Sequence, residues 1–221
     1  MPSSTGRTLI AVSAIAMLAL AGCSTVPAST AADEPAVSVA ALGEGFLGDA
    51  GTPSPGATIV PETGSWNGVT PPAGYRAILL ATDGDPASDA VTASVEDWAE
   101  RSGVELTVMT ATDTIDMDDR FDEAVAATPD LVIGAGGGAV DTFAYLTSQS
   151  LAQQFLVVGA QLAEPTDNVT AVIWPGATFR GTNLGEPETD AEGASEYASD
   201  AVDAGVASIV NGLTGIVIEL Q

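Results

Sequence analysis

Arg76-Ala77-Ile78-Leu79-Leu80-Ala81-Thr82 runs directly into Asp83-Gly84-Asp85-Pro86-Ala87-Ser88-Asp89. The first seven residues form a short apolar run without polar alternation, as expected of a strand buried on both faces. The next seven are rich in Gly, Asp and Pro and read as a turn. From about residue 89 to 102, Val91, Val95 and Trp98 recur at three- and four-residue spacing, which predicts a helix with one apolar face. Gly103 then stands where a C-terminal cap belongs.

The same cycle repeats toward the C-terminus. Residues 104–109 read as a second strand, and 116–127 as a second helix with Phe121 and Val125 inward. Residues 130–133 are a third strand, 134–138 a glycine loop, and 139–149 a third helix. Strands at 154–159 and 169–174 follow, then a polar loop at 181–193, a helix at about 194–211 and a strand at 216–220. Apolar strands alternating with amphipathic helices predict a three-layer, doubly wound α/β domain with a mostly parallel sheet.

Toward the N-terminus, Arg7 is the sole early positive charge, and a weakly polar to apolar stretch spans residues 9–21. Leu20-Ala21-Gly22-Cys23 follows. A short charged region, an apolar core and a small-residue site read as a secretory signal peptide over residues 1–22. The apolar stretch is shorter than the roughly 20 residues needed to span a bilayer. Leu20–Cys23 resembles the lipobox of bacterial lipoproteins, which implies acylation of Cys23 and anchoring on the extracytoplasmic face of the membrane. Cys23 is the only cysteine, so no internal disulfide is possible. Two other readings stand beside this one: a soluble secreted protein, and an uncleaved N-terminal anchor. Residues 24–73, rich in Ala, Ser, Thr, Gly and Pro, read as a flexible tether, which gives three regions: 1–22, 23–73 and 74–221. Trp66 is the exception within the tether and is expected to pack on the domain.

The chain of 221 residues carries five basic and thirty acidic groups, with no lysine and no histidine. A formal charge of −25 repels nucleic acid, because phosphate binding needs Lys and Arg. The absence of histidine removes the commonest general base and zinc ligand, and makes a Ser-His-Asp triad impossible. Asp116, Asp118 and Asp119 lack the glycine turn and terminal glutamate of a calcium loop and read as a helix start. No metal, cofactor or enzymatic activity is expected.

Three landmarks carry a resemblance to a known family. They are Ala81-Thr82-Asp83-Gly84-Asp85, Pro129-Asp130-Leu131-Val132-Ile133-Gly134 with Asp141, and Phe155-Leu156-Val157-Val158-Gly159 followed by Asn168-Val169-Thr170-Ala171-Val172-Ile173 and Phe179-Arg180-Gly181. Together they resemble the basic membrane protein family of substrate-binding lipoproteins, receptors of ABC importers. The resemblance implies one lobe of a type I periplasmic-binding-protein-like fold, a small polar solute such as a nucleoside, and an ABC transporter permease as partner. The family has two lobes, whereas this length allows one. Where the family carries Ser-Phe-Asn at its first helix, this chain has Asp89-Ala90-Val91.

In a doubly wound sheet, ligands bind outside the carboxyl ends of the strands. That rim offers Thr82, Asp83, Asp85 and Asp89 from the first loop, and Gly134, Gly136, Gly137, Gly138 and Asp141 from the glycine loop. Gln161 and Trp174 lie nearby. The glycines either turn backbone amides toward a ligand or permit close packing. Asp83, Asp89 and Asp141 either cap helices or accept hydrogens from a solute. The expected function is a non-catalytic solute-binding lipoprotein. The alternative is an envelope protein-interaction module that has lost solute binding.

Overall fold

The computed structural model describes residues 39–163, 165–179 and 191–221. The signal peptide, Cys23, Arg180 and the stretch 181–190 lie outside the described residues.

The expected strand–helix alternation is present. The strands are β1 (Thr58–Ile59), β2 (Arg76–Thr82), β3 (Glu105–Ala111), β4 (Leu131–Ala135), β5 (Phe155–Val158), β6 (Ala160–Gln161), β7 (Val169–Ile173), β8 (Thr178–Phe179) and β9 (Val217–Glu219). The helices are α1 (Pro86–Ser102), α2 (Thr114–Ala126), α3 (Gly137–Leu146) and α4 (Ala191–Val210). Among the described residues, seven strands form one sheet in the order β1-β9-β7-β5-β4-β2-β3, parallel throughout. β6 and β8 pair separately beside it.

Each central strand is buried on both faces because its residues alternate between two cores. Leu79, Leu131, Ile133, Leu156, Val158 and Val172 pack on the side of α1 and α4. Ile78, Leu80, Val132, Phe155, Val157 and Ala171 pack on the side of α2 and α3. Trp98 and Phe121, expected inside from helical spacing, are both buried. On the α2/α3 side, Phe121 stacks on Phe155 at 5.3 Å, and Phe143 meets both edge-on at 5.4 and 5.7 Å. The Phe143 ring lies over Gly134, where an added β-carbon would fall 2.8–3.1 Å from it. Gly134 therefore belongs to the core, and Gly134→Ala is expected to cost about 1–3 kcal/mol by overpacking. Urea titration of the variant measures this.

Residues 39–73 correct the expectation of a tether. Phe46, Ile59 and Trp66 are fully buried and join the α1/α4 core. β1 extends the sheet at its edge, pairing Thr58 with Val217 and Ile59 with Ile218. The main chain is bonded as well: Gly43 N–H donates to Ser65 O at 2.7 Å, Glu62 N–H to Gly45 O at 3.1 Å, and Gly56 N–H to Gly215 O at 2.7 Å. Asn211 Nδ2 at the end of α4 donates to Ala40 O at 3.2 Å. Burying Phe46 and Ile59 contributes about 1.5–3 kcal/mol each, which adds to the Trp66 burial and main-chain bonding that hold a Gly/Pro-rich stretch with no period of its own. The packing expected of Trp66 is present.

One further expectation changes in detail. The acidic run on α2 begins one turn earlier than expected, with Asp113 as the cap accepting from Ile115 and Asp116 N–H at 2.9 and 3.0 Å. Asp116 binds Thr112 N–H and Arg120, while Asp118 accepts from Thr142 Oγ1 on α3 at 2.7 Å. These carboxylates hold helix ends and helix pairs together. Among the described residues, no cluster is arranged to hold a metal ion.

Candidate functional site

The strand order reverses direction between β2 and β4, because the chain proceeds from β2 outward to β3 and then returns past β2 to β4. Such a switch point opens a crevice outside the carboxyl ends of the strands. A cavity of about 240 Å³ lies there. Thr82 closes β2, and Gly84, Asp85, Pro86, Ala87 and Val91 come from the following turn and α1. Gly136, Gly137 and Gly138 form the turn from β4 into α3. Gly159, Trp174, Thr178 and Ala194 complete the wall from the far side.

Local chemistry explains why these segments meet. Asp85 is the N-cap of α1, its side chain accepting from Ala87 N–H at 3.0 Å, and Pro86 follows at the first helical position. The missing N–H of proline costs nothing there. Ser88 turns back to accept from Thr82 N–H at 3.0 Å, fixing the end of β2 against α1. Gly136 caps α3 with φ 69°, a left-handed conformation that glycine adopts without strain, and donates its N–H to Val158 O at 2.8 Å.

The glycine run is explained by contact. A β-carbon on Gly137 would lie 2.9 Å from Thr178 Oγ1, and one on Gly138 only 2.1 Å from Thr82 Oγ1. On the far wall, Gly159 has φ 81°, and a β-carbon there would fall 2.7 Å from the Trp174 ring. Trp174 in turn stacks on Tyr197 of α4, with centroids 6.0 Å apart and planes 12° apart. Small residues thus let two threonines and an indole close on the turn.

Among the residues expected to bind, Thr82, Asp85 and Gly136 line the cavity, as do Gly137, Gly138 and Trp174. Asp83, Asp89, Gly134, Asp141 and Gln161 are not among its lining residues. The capping roles expected of three aspartates also shift. Asp83 lies in the turn before Asp85, Asp89 falls inside α1, and Asp141 falls inside α3, whose cap is Gly136. The Asp85-Pro86 pair was the readable signal for the true cap. Gly159, Thr178 and Ala194 carried no local signal, since they converge from three separate elements.

The clearest displacements of ionisation lie on other parts of the fold. Burial raises the Tyr75 hydroxyl well above its usual range, with the Asp130 charge adding to it. Burial raises Asp203, partly offset by Arg101. The Thr112 N–H is the main influence lowering Asp116, and Arg120 adds to it.

No family model matches the chain, and no curated protein sequence matches it. Solved structures are similar to it at low identity. A solute-binding protein of an ABC transporter system from Aeropyrum pernix K1 is 20% identical with a TM-score of 0.41, covering 45% of this chain and 28% of that one. A periplasmic ribose ABC transporter protein from Conexibacter woesei DSM 14684 is 16% identical with a TM-score of 0.41, covering 66% and 54%. A fragment from Peptoclostridium difficile 630, named only provisionally as a lipoprotein, is 11% identical with a TM-score of 0.46, covering 62% and 98%. The chain spans about half or less of the first two structures' length. Its doubly wound fold stands on its own strand order and layers. Among the described residues, no helix is long and apolar enough to cross a membrane.

Proposed function

We propose that this chain is an extracytoplasmic lipoprotein, anchored through acyl chains on Cys23, whose α/β domain holds a small solute without transforming it. The cavity at the switch point carries this reading. It lies where a doubly wound sheet presents ligands, and two helix N-termini, a carboxylate and an indole meet there. The signal-peptide pattern and the Leu20–Cys23 motif support export and anchoring. An ABC transporter permease is the partner that the family resemblance implies.

Thermal unfolding of residues 24–221 against nucleosides, sugars, amino acids and divalent cations tests the solute reading. A ligand at 100 times its dissociation constant adds about 2.7 kcal/mol, which raises the midpoint by roughly 5–10 °C for a domain of this size. A flat response from a cooperatively melting domain would count against it.

One observation favours the alternative, a protein-interaction module. β3 is an edge strand of the sheet. Glu105 N–H and Ala111 C=O are directed at β2, bonding Tyr75 O and Asp83 N–H, so alternation turns the N–H and C=O of Leu106, Val108 and Thr110 outward. The strand carries no proline or lysine, and edges left in this state accept another strand.

A further inference from the structure

The cavity wall restricts what it can hold, granted that it binds a solute as proposed above. Its volume of about 240 Å³ is below the roughly 300–1,000 Å³ of ordinary ligand pockets, so the occupant is small. Most of the wall is apolar: Pro86, Ala87, Val91, Trp174 and Ala194 surround the glycine turn. Polar side chains are few, and the two threonines are packed against the glycine turn. Thr82 Oγ1 is sealed beneath Gly138, closed to solvent and without a hydrogen-bond partner. The Thr178 side chain packs on Gly137. Asp85 differs. Its Oδ1 accepts from Ala87 N–H, while its Oδ2 faces the glycine turn, 3.9 Å from where a β-carbon on Gly136 would stand.

A sugar or a ribose brings several hydroxyls, and each one buried without a partner is costly. This wall cannot satisfy a ring of hydroxyls. An anion would meet the Asp85 carboxylate, which already supplies the negative charge favoured at the amino end of α3. Among the described residues, no arginine stands on the wall to offset it: Arg76 opens β2 at its amino end, Arg101 ends α1 and Arg120 lies on α2. The remaining chemistry is one strong acceptor facing an apolar chamber, under a chain of formal charge −25.

We propose that the cavity takes a small primary ammonium compound with an apolar body, its –NH₃⁺ donating to Asp85 Oδ2 and its body lying among Ala87, Val91 and Trp174. This assignment deepens the solute-binding reading and depends on it. Asp85 is then the residue that sets specificity for charge.

Isothermal titration and thermal unfolding of the full-length mature protein in detergent test it with four probes: benzylamine, benzyl alcohol, phenylacetate and ribose. Benzylamine is expected to bind most tightly, and phenylacetate and ribose are expected to give no shift. Asp85→Asn keeps a good helix cap, and Asp85→Ser provides a second capping variant. Both should weaken benzylamine by roughly 10- to 100-fold, the loss expected for a hydrogen bond to a charged group, and weaken benzyl alcohol by roughly 10-fold at most. The unliganded melting curve of each variant verifies that it folds. Equal or tighter binding of benzyl alcohol, phenylacetate or ribose, or undiminished benzylamine binding by the variants, would overturn the ammonium assignment and leave a solute-binding cavity in place. Silence from all four overturns the assignment too, and the wider panel above then decides whether solute binding falls with it.

Discussion

Phe46→Ala is expected to cost about 3–5 kcal/mol, lowering the melting midpoint by roughly 6–20 °C. Trp66→Ala is expected to cost a similar amount. Both side chains lie outside the region where the sequence pattern places a domain, yet Phe46 is 1% exposed and Trp66 3% exposed. Each truncation removes an aromatic from the α1/α4 core, and the surrounding helices are held by the sheet and cannot collapse into the gap. A tether would respond differently. If residues 39–73 merely linked the domain to an anchor, neither substitution would change stability beyond about 0.5 kcal/mol, as at ordinary surface positions. Urea unfolding of the two variants beside one at an exposed site in the same segment, such as Ser54→Ala, separates the two accounts. The same result would fix the smallest stable unit, which must include β1 because that strand pairs with β9.

This segment shows why some of the fold was legible in sequence and some was not. β2, β4 and β5 declare themselves because a strand buried on both faces must be apolar throughout its buried length, and 77–81, 131–135 and 155–158 are. The helices declare themselves through one apolar stripe. Phe46, Ile59 and Trp66 obey neither rule. They are single anchors separated by glycine and proline turns, and β1 is only two residues long. Their burial is decided by what they meet on α4 and at the sheet edge, which no local window contains.

The cavity is similarly divided. Its first wall was readable, since Thr82, Asp85 and Gly136 follow strands whose carboxyl ends define a rim. The second wall was readable only at Trp174, because Gly159 becomes its neighbour only when β5 and β7 pair. Asp83 and Asp89 carry the same chemistry as Asp85. Only Asp85 precedes a proline that starts a helix, and that placement makes it the cap of α1, whereas Asp83 lies in the turn and Asp89 inside the helix, both exposed.

The second large effect concerns Cys23. The native chain is expected in the membrane fraction and in the detergent phase on phase separation, and Cys23→Ser is expected to leave it in neither by means of a lipid. The physical reason is the number of methylenes buried. One myristoyl chain gives only marginal attachment, on the order of 10⁴ M⁻¹, whereas a second chain adds about 0.8 kcal/mol per methylene and makes attachment stable. Removing the acceptor sulfur removes all of it. Intact mass distinguishes the competing states better than fractionation does. An acylated chain starts at Cys23 and carries added acyl mass, which Cys23→Ser abolishes. A soluble secreted chain lacks residues 1–22 and carries no added mass in either form. An uncleaved anchor retains residues 1–22, and its membrane attachment survives the substitution because it depends on the apolar stretch at 9–21 and not on sulfur. Acyl mass on the native chain, absent from the variant, is the one outcome that supports a lipid anchor. A soluble secreted chain would remove the reason for placing the domain at a membrane surface, an uncleaved anchor would keep it there without a lipid, and both leave the cavity and its Asp85 where they are.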